Sequence, residues 1–372
     1  MPRKKILHII KSLGRGGAEV LLQETLKLHN QEEFEFHFIY FLPWKNQMVD
    51  GIENAGGKVT LFRAKNNIQI LLQIFRVIKY IKQNKIELIH CHLPWAGFLG
   101  RLIYKLINIP VLYTEHNKQE RYHFITRTLN KITFNWQSKV IAVSDDVFHS
   151  IQSAICPKID VVTILNGVNT NFYKRDQTLG LQKRKEYLID ENTILIGTIA
   201  VFRFQKRLKE WVELFKMAHA KNPNIRGCII GDGILKEEIL NHVKALGMQD
   251  YIIFPGLQTN VKPWFSSIDI FMMTSSFEGL PIALLEAMSM ECAIVSTNAG
   301  GIKQVIRNEK DGFTVSVDEW ASLQKPLNYL IENPNEIKVF GENARLRVIE
   351  SFSIDIMVNQ IELLYRQTLG NK

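Results

Sequence analysis

Along the first half of the chain, short apolar runs alternate with longer amphipathic segments. The runs KILHII, FEFHFIYF, IELIHCH, VLYTEH and KVIAVS have the length and the β-branched and aromatic content of buried strands. Between them, 18–28, 69–83 and 96–106 repeat apolar residues at helical spacing, which predicts a helix over each. Strict alternation of strand and helix predicts βαβ units and a parallel sheet. The second half repeats the pattern through TILIGTIAV, RGCIIGDG, YIIFPG, IDIFMMTS and CAIVSTNAGG. Asn166-Gly167 marks a turn, and the polar NTNFYKRDQ that follows reads as a linker. We therefore expect two α/β domains of Rossmann type, 1–170 and 171–354, facing each other across a cleft. A last amphipathic helix over about 355–372, with Ile356, Ile361, Leu364 and Tyr365 apolar, would pack on one of them.

Length supports that division, because a single core stops growing beyond about 250–300 residues and this chain has 372. The apolar run near the start is only Ile6 to Ile10, is interrupted by His8 and is followed by no small-residue cleavage site, so it predicts a first strand rather than a leader. No stretch approaches the ~18 apolar residues of a spanning helix. Cys91, Cys156, Cys228 and Cys292 form no CxxC pair and no zinc-like spacing, which fits a reducing, cytoplasmic setting.

Charge is uneven. Residues 1–175 carry 24 Lys plus Arg against 13 Asp plus Glu, and the remainder 22 against 24. No basic stripe interleaved with aromatics and no nucleic-acid module accompanies the basic half, so nucleic acid is not an expected partner. Two readings stand for Arg76, Lys79, Lys82 and Lys85, which share helical spacing: contact with an anionic membrane or phosphorylated acceptor, or a solvated helix face.

Ligands of parallel sheets bind beyond the carboxyl ends of the strands, which directs attention to the segments that follow them. The most particular is SSFEGLPIALLEAMSM, with Glu278 and Glu286 eight positions apart. A helix starting near Pro281 would turn the backbone donors of Gly279 and Leu280 toward an anion, and two carboxylates would accept hydrogen bonds from vicinal diols such as those of ribose and hexoses. In the first half, LGRGGAE follows strand one and lets backbone approach a phosphate at Gly14, Gly16 and Gly17. Its spacing is not GxGxxG, and Tyr40, Phe41 and Leu42 at the next strand end include no acid for an adenosine ribose, which disfavours a nicotinamide enzyme. In the second half, GTIAVFRFQKRLKEW ends a strand in Arg203, Lys206 and Arg207, cations suited to a leaving diphosphate; no DxD triplet supplies a metal ligand set. His116 follows the predicted strand VLYTE; of His90 and His92, one is expected to be a satisfied core histidine.

Together LGRGGAE, NGVN, GDG, FPG and EGLP, with the later GG and DG, resemble the retaining glycosyltransferases of family four, which have the GT-B fold; the likeness runs nearly the whole length of the chain. It implies that Glu278 contacts the donor sugar and Glu286 the nucleotide ribose. It also implies that Gly16 and Gly17 close over the diphosphate and border the acceptor, and that Gly231, Phe254 and Gly256 flank the base. His116 would lie near the reacting sugar. The catalytic candidates are thus His116, Lys206 and Glu278. Arg203, Gly279, Leu280 and Pro281 complete the donor set, and His92 and Arg121 are candidates on the acceptor side. Two positions depart from the family pattern: Val201 stands where an Arg is usual, with Arg203 two places later, and Gln304 stands where many members have Glu. The resemblance implies no resident cofactor and no metal, with a UDP- or GDP-linked sugar as co-substrate. It further implies a glycan or lipid-linked acceptor at the inner face of the plasma membrane. An epimerase or phosphorylase of the same architecture, and a non-catalytic sugar-binding protein, stay open.

Overall fold

A computed structural model describes residues 2–14 and 16–370. They fall into two compact units: residues up to Asn166 together with those from Ile354 onward, and Gly167–Ser353.

The first unit holds seven parallel strands: β1 (Lys4–Ile10), β2 (Phe34–Tyr40), β3 (Lys58–Leu61), β4 (Leu88–His92), β5 (Val111–Glu115), β6 (Lys139–Ala142) and β7 (Asp160–Thr163), in the order β3-β2-β1-β4-β5-β6-β7. Side chains alternate across the sheet, so residues two apart share a face. On one face Leu7, Ile9, Ile89, Cys91 and Tyr113 pack on the helix Pro94–Ile107, whose Gly100 comes so near β4 that an added Cβ would lie 2.4 Å from Cys91 Sγ. On the other face the register sets His8 opposite His90 and His92 opposite Thr114. That polar strip is covered by the helix Ile354–Gly370, which buries Val358, Ile361, Leu364 and Tyr365 while Ile356 is among its more exposed residues. Glu362 ties this helix to the turn that leads into β2: it accepts from Asn30 N at 2.7 Å and lies 3.1 Å from His29 Nδ1, while Arg366 Nη2 of its own helix donates to it at 2.9 Å.

Two predicted boundaries move. The helix expected over 69–83 is two helices, Asn67–Leu72 and Ile74–Asn84, with Gln73 between them; it starts earlier because the Asn66 side chain caps Gln69 N at 3.0 Å. The helix expected over 96–106 begins at Pro94, where a missing N–H costs nothing.

The second unit holds six parallel strands: β8 (Ile194–Ile199), β9 (Ile225–Ile230), β10 (Ile252–Ile253), β11 (Ile270–Met273), β12 (Ala293–Thr297) and β13 (Phe313–Val315), in the order β10-β9-β8-β11-β12-β13. Its core is built around the fully buried Trp211, stacked on Phe215 and donating from Nε1 to Met272 O at 3.1 Å. The unit closes on itself where Val168 N donates to Phe352 O at 3.0 Å.

One buried charge organises the β5 side of the first unit. Arg101, with no exposed surface, donates to Asn130, Thr133 and Gln137 and lies 4.8–5.6 Å from the ring centres of Tyr113, Phe134 and Phe98. Its removal leaves a large void and unpaired buried acceptors. We expect Arg101→Ala to lower the unfolding free energy by at least ~3 kcal/mol, measured by urea unfolding; a loss under ~1 kcal/mol would mean that the network contributes little.

Candidate active site

In the second unit, three strand ends converge on one loop. After β11 the segment from Thr274 leads to the helix Ile282–Ser289; Pro281 occupies the N-cap with φ −73°, one place before the first helical turn. Thr274 Oγ1 donates to Arg207 O at 2.8 Å and Ser276 N to Gln205 O at 2.7 Å, binding this loop to the one after β8. From the β12 side, Thr297 Oγ1 donates to Ser275 O at 2.6 Å and Gly301 N to Gly279 O at 2.7 Å. Gly300 has φ +59°, and a Cβ there would lie 2.0 Å from Glu278 O, so only glycine permits the approach. Held this way, Glu278 Oε1 accepts from Lys206 Nζ at 2.5 Å, both side chains being partly buried. Glu286, the fifth residue of the helix, is buried. The structure thus brings together Lys206, Glu278 and Gly279 on one pair of loops.

The Arg207 side chain is engaged elsewhere. Arg203 is exposed at the start of the turn Phe204–Lys206, and Arg207 donates to Val317 O at 2.7 Å. Leu280 and Pro281 are buried at the helix start. The GDG and FPG turns are adjacent, since Gly231 N donates to Gly256 O at 3.0 Å, and Gly231 (φ +134°) lies so close to β8 that a Cβ would sit 1.9 Å from Ala200 O. Phe254 is half-buried against the core.

In the first unit, Gly16 is the N-cap of the helix Gly17–Leu26 with extended backbone, φ −126°; Arg15, between the glycines of that loop, lies outside the described residues. His116 directly follows β5. The residue is half-buried, with Nε2 buried and without a hydrogen-bond partner, and burial lowers its pKa to about 4. Arg121 is exposed on the next turn, Gln119–Arg121. The segment is fastened from beneath by Glu115, which is fully buried and accepts from Gln119 Nε2 at 2.7 Å, from Tyr113 OH at 3.1 Å and from Tyr122 OH. Burial raises the Glu115 pKa.

His92 and His116 line one small cavity, of about 30 Å³, with His8, His29, His90 and Tyr365. His90 is the satisfied core histidine: Nε2 bonds Thr114 Oγ1 and Nδ1 bonds Tyr365 OH, each at 2.7 Å. His8 Nδ1 bonds His92 Nε2 at 2.9 Å. Burial first, and neighbouring histidines second, lower the pKa of His8 and His92 well below the usual range and that of His90 to about 3, so all three are neutral. His8, His90 and His92 are the group, among the described residues, whose ligand atoms cluster within 4.8 Å. His8 Nδ1 and His92 Nε2 bond each other and both His90 nitrogens are bonded, so a metal there would have to displace those bonds.

Sequence reading found His92 and His116 but not His8, Tyr365 or the Glu115 support. A histidine at alternate positions of two apolar strands, HII and IHCH, was the available signal, because strand periodicity puts all three rings on one face.

The family description "Glycosyl transferases group 1" matches residues 181–347, and "Glycosyltransferase Family 4" matches residues 15–172. The chain is 25% identical over 386 residues to the UDP-Gal:alpha-D-GlcNAc-diphosphoundecaprenol alpha-1,3-galactosyltransferase of Escherichia coli, covering 99% of this chain and 98% of that one. It is 22% identical to the capsular polysaccharide biosynthesis glycosyltransferase CapM of Staphylococcus aureus, with 99% and 98% covered. Among solved structures, Anabaena Alr3699/HepE in complex with UDP and glucose superposes with a TM-score of 0.87 at 19% identity, covering 98% of this chain and 100% of that one.

The neutral histidines set a pH dependence. In the unfolded chain each takes a proton near the ordinary value of 6.5, whereas in the fold His116 does so only near 4 and His90 near 3. Between those limits the unfolded state binds more protons, and stability falls with pH by up to ~1.4 kcal/mol per unit for each such histidine. The melting temperature should therefore hold between pH 7 and 8.5 and fall from about 6.5 downward. His90→Asn should shallow that fall; an equal slope in this variant would show that His90 is protonated in the fold.

Proposed function

The chain belongs to the glycosyltransferases of group 1 and family four, with the GT-B fold, and on that premise we propose that it transfers a sugar from a nucleotide-diphosphate donor to a glycan or lipid-linked acceptor, with retention at the anomeric carbon and without a metal ion. The observation that carries this reading is the Lys206 Nζ–Glu278 Oε1 contact of 2.5 Å at the foot of a helix that also carries Glu286. A lysine in that place offsets the charge that a departing diphosphate gains, the work a divalent metal does in other transferases. The reading assigns Glu278 to a sugar hydroxyl and Glu286 to a ribose diol. A UDP- or GDP-linked hexose or N-acetylhexosamine fits this set. The E. coli relative is named for a UDP-linked galactose, and the Anabaena structure holds UDP and glucose.

The reading assigns His116 to the neighbourhood of the reacting sugar, His92 and Arg121 to the acceptor side, and to the protein a role in making a surface polysaccharide. The two relatives point the same way, one named for a diphosphoundecaprenol-linked sugar and the other for capsular polysaccharide biosynthesis. No described helix is long and apolar enough to cross a membrane. Contact with a lipid surface would use the helices that pack on Pro94–Ile107. These expose Ile68, Leu72 and Phe75 on one side and Phe124, Ile125 and Ile132 on the other, beside the exposed Arg76, Lys79, Arg127 and Lys131. Apolar side chains ringed by cations suit the headgroup region of an anionic bilayer.

Transfer is tested with a panel of nucleotide sugars and lipid-linked acceptors, in the presence of a chelator and with the product anomer read by NMR. Inversion at the anomeric carbon, or activity abolished by the chelator and restored by a divalent ion, would overturn the corresponding part of the reading. Lys206→Ala should lower kcat about a hundredfold, and Glu286→Ala should raise the donor KM about tenfold with a smaller change in kcat. Normal kinetics in both variants would refute the assignments. Cosedimentation with phosphatidylglycerol vesicles should exceed that with phosphatidylcholine and fall when Phe75 and Phe124 are replaced by Asp; equal binding in the variant would remove this surface from the proposal.

A further inference from the structure

The last helix reaches into the histidine strip through one group, the Tyr365 hydroxyl, and that group bonds on both sides: 2.7 Å to His90 Nδ1 and 3.4 Å to His8 Nε2. With Thr114 Oγ1 beyond His90 and His92 Nε2 beyond His8, the result is an unbroken chain, Thr114–His90–Tyr365–His8–His92, across three strands and the helix. A neutral imidazole has one donor and one acceptor nitrogen, so fixing one member of such a chain fixes the next. The tyrosine makes the choice. A phenol O–H is a stronger acid than a neutral imidazole N–H, and it donates along the shorter bond, to His90 Nδ1. His90 Nε2–H then donates to Thr114. The phenolic oxygen accepts from His8 Nε2–H, which leaves His8 Nδ1 to accept from His92 Nε2–H. The lone pair at the end of the chain rests on His92 Nδ1.

We propose that Tyr365 is a positioning residue that locks His92 in the Nε2–H tautomer, so that His92 offers Nδ1 as a hydrogen-bond acceptor to the acceptor substrate's hydroxyl. This rests on the acceptor-side role of His92 given above, but the lock itself is a property of the resting protein. In the other tautomer His92 would present a donor in the same place, and an approaching hydroxyl would meet it with the wrong end. The helix sequence carries the device to a face that the strands alone leave open, since Tyr365 is fully buried and its ring stands edge-on to that of His90, 5.7 Å between centres.

Two-bond proton–nitrogen spectra of the full chain with ¹⁵N-labelled histidine, assigned by the signal lost in His92→Asn, read the tautomer directly. The wild type should show a protonated Nε2 and an unprotonated Nδ1 at His92. In Tyr365→Phe the same ring should average between tautomers, and kcat should fall about tenfold with donor KM within twofold, in protein whose circular dichroism matches wild type. A wild-type His92 protonated at Nδ1, or a Tyr365→Phe protein that keeps the single Nε2–H tautomer, would overturn the lock. Should Tyr365→Phe be too unstable to record, Thr114→Val serves as the second probe: the tyrosine still directs the chain, so His92 must keep its tautomer, and averaging there would overturn the proposal. A lock confirmed by NMR beside full transfer activity in His92→Asn would instead refute the acceptor role of His92 and leave the tautomer assignment standing.

Discussion

The Lys206–Glu278 contact links two loops that belong to different strands, and the chemistry proposed for the second-unit site turns on it. A short ion pair that is only partly buried gains little for stability. Its interest lies in what each partner has given up. The lysine is held within 2.5 Å of a carboxylate by loops that are themselves bonded through Thr274, Ser276 and Gly301, so its position is set before any ligand arrives. A diphosphate that enters as proposed competes with Glu278 for the ammonium, and the carboxylate so released has unpaired acceptor capacity for a sugar hydroxyl. One exchange of partners would then serve both halves of the donor, with little reorganisation of backbone.

The first unit solves a different problem, that of keeping polar rings inside a sheet. Five histidines bordering a cavity would be costly if charged, and burial holds His8, His90 and His92 neutral. Neutrality alone does not satisfy their nitrogens. The strand register supplies Thr114 and the last helix supplies Tyr365, and only with both is His90 bonded at each nitrogen. The same helix brings Glu362 to His29. Residues from the far end of the chain thus complete polar groups that the first 166 residues leave half satisfied, which gives the return of the chain to this unit an energetic reason beyond apolar cover.

How much of this was legible in the sequence varies with how local each feature is. Central strands such as KILHII and IELIHCH are largely apolar because both faces are covered, and they stand out. Among the described strands, β3, β7 and β13 lie at sheet edges, run only three or four residues and carry no comparable signal. Glu278 and Lys206 were readable as residue types in particular spacings, but their mutual bond was not, since 72 positions separate them. The break at Gln73 has no Gly or Pro to announce it. Ile356 was expected in the apolar stripe of the last helix and lies toward its exposed side, because one residue of helical phase decides which side a position faces.

The Tyr365 chain was hidden for the deepest of these reasons. A tyrosine in an amphipathic helix reads as apolar cover, and nothing around it in sequence names a hydrogen-bond partner. Its partners lie 275 and 357 positions away and become neighbours only through strand register and helix docking together. Even then the distances alone do not decide which nitrogens carry protons. That decision follows from the relative acidity of phenol and imidazole, applied along a chain in which every member has one donor and one acceptor to place. A function written in proton positions is therefore specified jointly by fold and by chemistry, and a substitution that preserves shape, Phe for Tyr, removes it while leaving the packing of the helix almost unchanged.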